Sequence, residues 1–291
     1  MTQYTIDQFS EITGITKFLL RTWENRYGYL KAKRTSTNIR IYDDYMLMQA
    51  LNTNYLLSNG FKISQVAKLS DNDVIEAVND LKINSEVDNQ EFYINEIIAS
   101  ALFFDTRKFN EIYDEGVETY SLIGFYKSII LITLQRLGVL WLTNRVSPAH
   151  EHFLSELIKQ KIASATDNLK IENPNAKKWL LFLPEDEYHE IGLLFAKFLL
   201  YQKGHEIIYL GANVPHISLS NIKENTIVDN TLLFSISNSS KSNLQSTLNV
   251  IRNIYKESNN YLITNLRDND IVQIPKNIQI INDLDSFIKL I

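Results

Sequence analysis

The 291-residue sequence has no cysteine. The chain therefore forms no disulfide bond, and it has no thiolate that could act as a nucleophile or bind a metal ion. This absence fits a reducing compartment, and we expect the protein in the cytoplasm. Residues 1–14 include acids and no long apolar run, which predicts that they are not a secretory signal.

Long apolar runs are also scarce. The longest, residues 120–141, is interrupted by Lys127, Gln135 and Arg136. A membrane-spanning helix needs about 20 consecutive, predominantly apolar residues. The pattern therefore favours a buried helix of a bundle, and we expect no membrane partner.

Positive charge is in deficit over the whole chain, which has 29 Lys and Arg residues, 34 Asp and Glu residues and a formal net charge of -5. Such a protein does not coat nucleic acid uniformly, but it can carry a local basic surface. Seven basic residues lie between Lys17 and Arg40, with Glu24 as the one acid among them. This local excess favours a nucleic-acid partner, and the alternative is an ordinary solvated face.

The same segment has the pattern of a helix-turn-helix. Residues 5–13 are predicted as a short helix, Gly14 as a turn, and residues 16–27 as a second, basic helix that ends at Gly28. In helix-turn-helix proteins the second helix enters the major groove of DNA. Residues 31–42 alternate basic, small polar and β-branched side chains, as expected of a β-wing that lies along a phosphate backbone.

Apolar residues at helical spacing continue through the middle of the chain. The predicted helices cover residues 43–57, 63–69, 74–81, 92–104, 109–120, 122–141 and 150–169. From residue 72 onward this pattern predicts a helical bundle of about four members.

The pattern of apolar residues changes after a linker at residues 171–178. Short apolar strands then alternate with helical stretches at 188–203, 242–257 and 284–290, which predicts a parallel sheet with helices on both faces. The expected fold class is multidomain, α and α/β. Its three predicted domains are a winged helix-turn-helix over residues 1–71, a helical bundle over 72–170 and a Rossmann-like domain over 177–291.

One histidine stands where such a sheet binds ligands. His189 follows the first predicted strand, and ligands of parallel sheets lie at the carboxyl ends of the strands. Glu187 precedes it by two residues. A Glu-x-His pair is compatible with a metal ligand held by a carboxylate, and equally with a helix start that has acids near its positive end.

The amino-terminal segment resembles the winged-helix domain of the MerR family of transcription regulators. The resemblance lies in the run Leu20-Arg21-x-Trp23-Glu24-x-Arg26-Tyr27-Gly28 and in Arg40-x-Tyr42 of the wing. It implies sequence-specific binding to a double-stranded DNA operator by a homo-oligomer, a dimer or a tetramer. A single helix and wing contact too little DNA for high affinity.

The MerR-like segment contains nine candidate DNA contacts. The cationic forks and hydroxyl groups suited to phosphate oxygens are those of Arg26, Tyr27, Arg34, Arg40 and Tyr42. The candidates for groove contacts on or beside the second helix are Thr16, Lys17, Arg21 and Thr22. Leu20, Trp23 and Leu30 are expected in the core.

The remainder resembles the cobalamin-sensing MerR regulators, the CarH and LitR photoreceptor group. Their motif is Glu/Asp-x-His-x-x-Gly followed by a serine about forty residues later. Here Glu187-x-His189-x-x-Gly192 fits, and Ser235 lies 43 positions beyond the glycine. The group also has a tryptophan, nine residues and then Glu-His.

The second part of that pattern fits as well, because Trp141 is followed by nine residues and Glu151-His152. The resemblance implies that these three residues cover the upper face of adenosylcobalamin or a related cobalamin. The alternatives are that Trp141 is ordinary core and that Glu151-His152 is the acidic first turn of a helix.

The resemblance further implies that His189 binds cobalt from below, in place of the cofactor's own base. Glu187, or alternatively Asp186, would fix the tautomer of the imidazole. Gly192 would let the displaced nucleotide tail pass close to the backbone, and Ser235 would hydrogen-bond that tail.

Two positions depart from the group's pattern. Where its members have Gly-Gly after the fourth strand, this chain has Ile263-Thr264-Asn265, whose side chains would crowd the channel for the tail. Where the light-sensing members have a cobalt-capturing histidine after the bundle tryptophan, this chain has Leu142. His150 is a conceivable substitute.

We therefore expect a transcription regulator, a repressor, whose assembly and DNA binding are controlled by a bound cobalamin, with light or the cofactor level as the signal. The first alternative is a MerR-type regulator with a degenerate cobalamin domain that serves oligomerisation or protein binding. The second is a corrinoid-dependent enzyme or methyl carrier, which is disfavoured because the chain has no room for a separate substrate domain. We expect no enzymatic activity.

Overall fold

The computed structural model describes residues 3–84, 90–142, 147–169, 172–237, 241–264 and 272–291. The chain divides into two compact units, Met1–Leu154 and Ser155–Ile291. The finer division into three domains stays a prediction.

The first unit consists of helices and a small antiparallel sheet. Its described elements are β1 (Gln3–Thr5), α1 (Ile6–Thr13), α2 (Lys17–Tyr27), β2 (Lys33–Arg34), β3 (Arg40–Asp43), α3 (Asp44–Ser58), α4 (Ile63–Val66), α5 (Asp71–Asn84), α6 (Gln90–Leu102), α7 (Thr106–Phe125), a π-helical turn (Tyr126–Ile130) and α8 (Leu131–Leu142). Helix α9 (Pro148–Asp167) runs from the first unit into the second.

Local signals set the limits of the helix-turn-helix. Thr5 caps α1 in a reciprocal arrangement with Gln8, and Gly14 ends the helix at a φ of 71°. Thr16 then caps α2, which stops at Gly28 in the left-handed conformation. These boundaries confirm the two predicted helices and the turn between them.

Strands β2 and β3 form the predicted wing. They pair antiparallel, with Lys33 opposite Ile41 and Arg34 opposite Arg40, and β1 joins the other side of β3. Leu20 and Trp23 of α2 and Leu30 beyond it are buried, as predicted for core residues.

Helix α7 is broken at Ser121. This residue has φ 62° and ψ 162°, far from helical values. Gly116 lies so close to Phe125 that an added Cβ would be 2.0 Å from Phe125 Cε2. Residues nine apart on one straight helix are separated by roughly 13 Å. The chain therefore folds back at Ser121, between the predicted helices 109–120 and 122–141.

This break bears on the long apolar run. By length and composition alone, Thr106–Gly138 could cross a membrane, and the core helices of soluble proteins share these two properties. Phe125, Tyr126, Ile129 and Ile130 lie beyond the break and are buried within the unit. They pack as a bundle helix does.

The second unit contains a parallel sheet and its connecting helices. The described elements are β4 (Lys178–Pro184), α10 (Ile191–Gln202), β5 (Glu206–Val214), α11 (Ser218–Asn225), β6 (Asn230–Ser235), α12 (Lys241–Ile254), β7 (Asn259–Thr264), β8 (Ile278–Ile281) and α13 (Leu284–Leu290). The predicted α/β fold is confirmed, although the short helix α11 was not predicted.

The strand order of the parallel sheet is β5-β4-β6-β7-β8. Strand β5 pairs with one side of β4, and strand β6 pairs with its other side. The strand order therefore reverses between β4 and β6. In open α/β sheets this reversal opens a crevice at the carboxyl ends of the two strands, where ligands bind.

The loop after β4 is longer than predicted. The predicted helix begins at residue 188, whereas α10 begins at Ile191 and leaves His189 in the loop. The carboxylate of Glu187 binds the backbone N–H groups of Tyr188 and His189, and this holds them outside the helix.

Candidate cofactor site and DNA-binding surface

The loop between β4 and α10 is held by hydrogen bonds to residues of β5 and α12. Asp186 has a φ of 63°, and its backbone N–H donates to Asn213 Oδ1 at 3.0 Å. The carboxylate of Asp186 accepts a hydrogen bond from Asn243 Nδ2 at 2.7 Å. These contacts with β5 and α12 hold the turn that precedes Glu187 in one conformation.

Glu187 is the centre of this loop. Its side chain is 0 % exposed, and Oε1 accepts hydrogen bonds from His189 Nδ1 at 2.6 Å and from two backbone N–H groups of its own loop. Oε2 accepts from the backbone N–H groups of Ile236 and Ser237, each at 2.7 Å. One carboxylate thus joins the loops that follow β4 and β6, on both sides of the strand-order reversal.

The charge of Glu187 follows from these contacts. Burial alone would raise the pKa of the carboxyl group, but the hydrogen bonds from His189 and from the backbone of Ser237 outweigh it and lower the pKa to about 2. The group is therefore an ionised acceptor at neutral pH. Its partner Nδ1 of His189 must be the donor, so the imidazole carries its ligand lone pair on Nε2.

His189 is placed as a single metal ligand would be. Its side chain is 58 % exposed although the Glu187 carboxylate beneath it is fully buried. Within the described ranges, no group of three or more His, Asp or Glu side chains could hold a metal ion. One exposed imidazole suits a metal that brings most of its ligands with it, as cobalt in a corrinoid does, better than a bare cation.

Gly192 is packed more closely than its expected role beside a nucleotide tail would allow. An added Cβ on Gly192 would lie 2.8 Å from Cε1 of Phe234, which belongs to β6. Ser235 is buried, and its carbonyl oxygen accepts a hydrogen bond from Thr264 Oγ1 at 2.7 Å. The residues fit a cobalt ligand at His189, but a nucleotide tail that passed Gly192 would have to displace the Phe234 ring.

The remaining cofactor candidates belong to α8 and α9. The side chains of Trp141 and Leu142 lie outside the described part of the structure, as does Asn265. Glu151 and His152 occupy the first turn of α9, where His152 Nδ1 is 3.6 Å from Glu151 Oε2. Their contact with a cofactor stays a prediction.

His150 has a structural environment of its own. Its ring stacks on Phe104 with the centroids 4.6 Å apart, and its buried Nδ1 has no hydrogen-bond partner among the described residues. An aromatic contact thus occupies one face of the imidazole that was considered as a substitute for residue 142.

Most DNA-contact candidates lie on the surface of the first unit. The exposed ones are Thr16, Lys17, Arg21, Arg26 and Arg34. Lys17 forms an ion pair with Asp7, and Arg34 donates to Asn38 Oδ1 at 2.8 Å within the wing. Thr22 and Tyr27 are half-buried, and the ring of Tyr27 lies 5.7 Å from the guanidinium carbon of Arg26.

Two of the candidate DNA contacts in the wing, Arg40 and Tyr42, form contacts within the first unit. Arg40 Nε lies 2.6 Å from Glu24 Oε2, and both side chains are mostly buried. Tyr42 is also buried: its ring stacks on Phe9 at 4.2 Å, and its hydroxyl group is inaccessible and without a partner among the described residues. In this structure Arg40 and Tyr42 therefore hold the wing on the helices, and their contact with a phosphate backbone stays a prediction.

The sequence did not reveal all the residues of interest at the candidate cofactor site and on helix α2. The backbone amides of Ile236 and Ser237 carry no side-chain signal, and their distance from Glu187 along the chain hides the contact. On α2 it missed Phe18, which is 76 % exposed. Its helical position opposite Leu20 and Trp23 could have indicated the exposure.

Two family models match this chain. The model described as MerR HTH family regulatory protein matches residues 4–73, and the model described as B12 binding domain matches residues 93–165. The chain thus contains a MerR-type helix-turn-helix segment, the DNA-binding element of transcription regulators, and a segment of the B12-binding type.

Two proteins that are similar to this chain are transcriptional repressors. The HTH-type transcriptional repressor CarH of Myxococcus xanthus is 25 % identical over 218 residues, which are 73 % of this chain and 72 % of CarH. The HTH-type transcriptional repressor CarA of the same organism is 26 % identical over 220 residues, 74 % of this chain and 70 % of CarA. The chain is homologous to both.

A solved structure supports the fold. The monomethylamine corrinoid protein of Methanosarcina barkeri superposes with a TM-score of 0.55 at 14 % identity, and the match covers 70 % of this chain and 98 % of that protein. The helical region followed by a five-stranded parallel sheet, as described in this chain, is therefore a known architecture.

Proposed function

We propose that this protein is a cytoplasmic transcription repressor that binds a specific DNA operator, and that a bound cobalamin controls its oligomeric state and its DNA binding. The observation that carries the cofactor half is the hydrogen bond of 2.6 Å from His189 Nδ1 to the buried Glu187. The relatives named as repressors support the regulatory half.

His189 would hold the cobalt of the cofactor through Nε2. Glu187 fixes the tautomer, and because its charge is bound by four N–H groups of the backbone it does not turn away from the imidazole. A carboxylate behind a ligating histidine typically contributes 10–100-fold to metal affinity. The pair would therefore give a strong ligand without a second protein ligand.

Gly192 and Ser235 would contact the nucleotide tail, and Trp141, Glu151 and His152 would cover the opposite face of the corrin ring. The cofactor we propose is adenosylcobalamin, whose cobalt–carbon bond would supply sensitivity to light. Leu142 is apolar and is no cobalt ligand, so a lasting adduct with two histidines is not part of the proposal.

We propose no enzymatic role. The support for this is that the relatives named above are transcriptional repressors.

The decisive experiment is reconstitution with adenosylcobalamin in the dark. We expect a corrinoid spectrum that stays with the protein through gel filtration, and a change in oligomer size. The His189→Ala variant should lose both, whereas His205→Ala should keep both, because His205 precedes β5 at the opposite edge of the sheet. A wild-type protein that shows neither the spectrum nor the size change would refute the proposal.

Phe234 and Thr264 favour a second candidate. If the Phe234 ring stays over Gly192 and the Thr264 hydroxyl stays on the Ser235 carbonyl, the domain takes no cobalamin and serves assembly or protein binding instead. In that case His189→Ala would leave assembly and DNA binding unchanged.

A further inference from the structure

The outward face of α2 combines an aromatic ring with polar groups. Leu20 and Trp23, three residues apart, are buried on the inner side of this helix. The opposite stripe, at the spacing i, i+3, i+4 and i+7, consists of Phe18, Arg21, Thr22 and Asn25. Of these, Phe18, Arg21 and Asn25 are exposed.

Phe18 is the most unusual member of this stripe. It is 76 % exposed, and Leu19 beside it is 41 % exposed. It lies in the first turn of α2, two residues after the Thr16 cap. In helix-turn-helix proteins, side chains near the start of the second helix contact base edges in the major groove.

The stripe has the chemistry that distinguishes base pairs. Arg pairs with the two acceptors of guanine, Asn pairs with the acceptor and donor of adenine, and an apolar group such as Phe contacts the C5-methyl of thymine. Thymine is the one base of unmodified DNA that presents a methyl group in the major groove.

The charges around Phe18 favour DNA over a second copy of the chain. Lys17 and Arg21 flank it, and Arg26 lies farther along the same helix. Two copies that met through this surface would bring these cations together, which costs energy, whereas DNA phosphates would attract them.

We infer that Phe18 determines part of the operator sequence by contacting a thymine methyl group, with Arg21 and Asn25 on neighbouring base edges. This inference rests on the proposed function, because it requires sequence-specific DNA binding. It assigns a readout role to two residues, Phe18 and Asn25, that the MerR resemblance did not supply.

The test uses the full-length protein and a duplex chosen by selection from a random DNA library. Each thymidine of the selected duplex is replaced in turn by deoxyuridine, which removes the methyl group alone. In the wild type, at least one replacement per half-site should weaken binding about fourfold, the value of one buried methyl group.

Phe18→Ala should weaken binding to the selected duplex and abolish the effect of that same replacement, because the ring and the methyl group act as one contact. Phe18→Leu should keep part of the effect. The dependence of affinity on salt should not change, since Phe18 has no charge. Phe103→Ala, which alters another exposed aromatic residue (50 %) of this unit, is the control and should bind DNA as the wild type does.

Three outcomes overturn the inference. If each deoxyuridine replacement weakens the wild type and Phe18→Ala equally, Phe18 does not read thymine. If Phe18→Ala changes the sedimentation coefficient without DNA, the surface belongs to an interface between copies. If the wild type selects no sequence, the proposed function fails together with the inference.

Discussion

Glu24 of helix α2 and Arg40 of the wing strand β3 form an ion pair with 2.6 Å between Oε2 and Nε. Both side chains are largely shielded from solvent, so the pair joins the two elements that a winged helix presents to DNA. The orientation of the wing relative to the helix therefore depends on a contact between residues 16 positions apart.

Arg40→Ala should lower the free energy of unfolding of the first unit by about 2 kcal/mol, because Glu24 would remain as a shielded charge without its cation. Chemical denaturation followed by circular dichroism measures the effect. Lys33→Ala is the control, since the Lys33–Asp43 pair has an exposed lysine and should contribute close to nothing. Equal effects of the two changes would contradict the structural role of Arg40.

Arg26 and Arg34 are exposed and remain the best candidates for phosphate contacts. Arg26→Ala and Arg34→Ala should each reduce the slope of log affinity against log salt concentration by about 1, because each removes one cation that displaces a counterion. Fluorescence anisotropy with a selected duplex at several salt concentrations gives the slope. Arg107→Ala on α7 removes an equally charged, exposed side chain and should leave it unchanged. A slope unaffected by both changes would exclude these residues from the interface.

Glu187 should make stability depend on pH in the acid range. Its pKa is lowered from 4.5 to about 2 in the folded protein. The charged group therefore stabilises the fold fully above pH 4.5, and this contribution disappears as the pH falls toward 2. The difference is on the order of 3 kcal/mol.

Comparing the free energy of unfolding of the wild type with that of Glu187→Gln isolates the contribution of the Glu187 charge. The variant should be less stable at pH 7, and the gap between the two proteins should narrow steadily from about pH 5 downward. Urea denaturation at successive pH values measures it. A gap that stays constant to pH 3 would show that the carboxylate charge is not what the backbone amides stabilise.

Gly192 and Phe234 should respond to mutation as a pair. Gly192→Ala places a methyl group 2.8 Å from Phe234 Cε1 and should destabilise the second unit by about 1–3 kcal/mol. Phe234→Leu in the same chain should recover most of that loss. If the effects of the two changes on the free energy of unfolding are additive, the methyl group added at position 192 does not contact the Phe234 ring.

The same pair tests the fit of the cofactor tail. Phe234→Ala should raise the affinity for cobalamin, whose nucleotide tail needs the space, more than the affinity for cobinamide, which lacks the nucleotide. Spectroscopic titration with both corrinoids gives the ratio. An equal gain for both would mean that Phe234 does not obstruct the tail.

Much of the fold was predictable because its signals are local. Thr5, Gly14, Thr16 and Gly28 cap and end helices through contacts within a few residues, so the helix-turn-helix can be predicted from the order of residues alone. The break near residue 121 and the alternation of strands with helices are local patterns too. Glu187 and His189 could be paired in advance because they are two residues apart.

The packing between distant segments was not predictable in this way. The Glu187 carboxylate binds amides about fifty positions farther along the chain, Phe234 covers Gly192, Arg40 faces Glu24 instead of solvent, and Tyr42 lies under Phe9. Each contact depends on which strands become neighbours and on how closely their side chains fill the space between layers. Composition and spacing carry the propensity of each segment to form a helix or a strand, whereas burial is a property of the assembled layers.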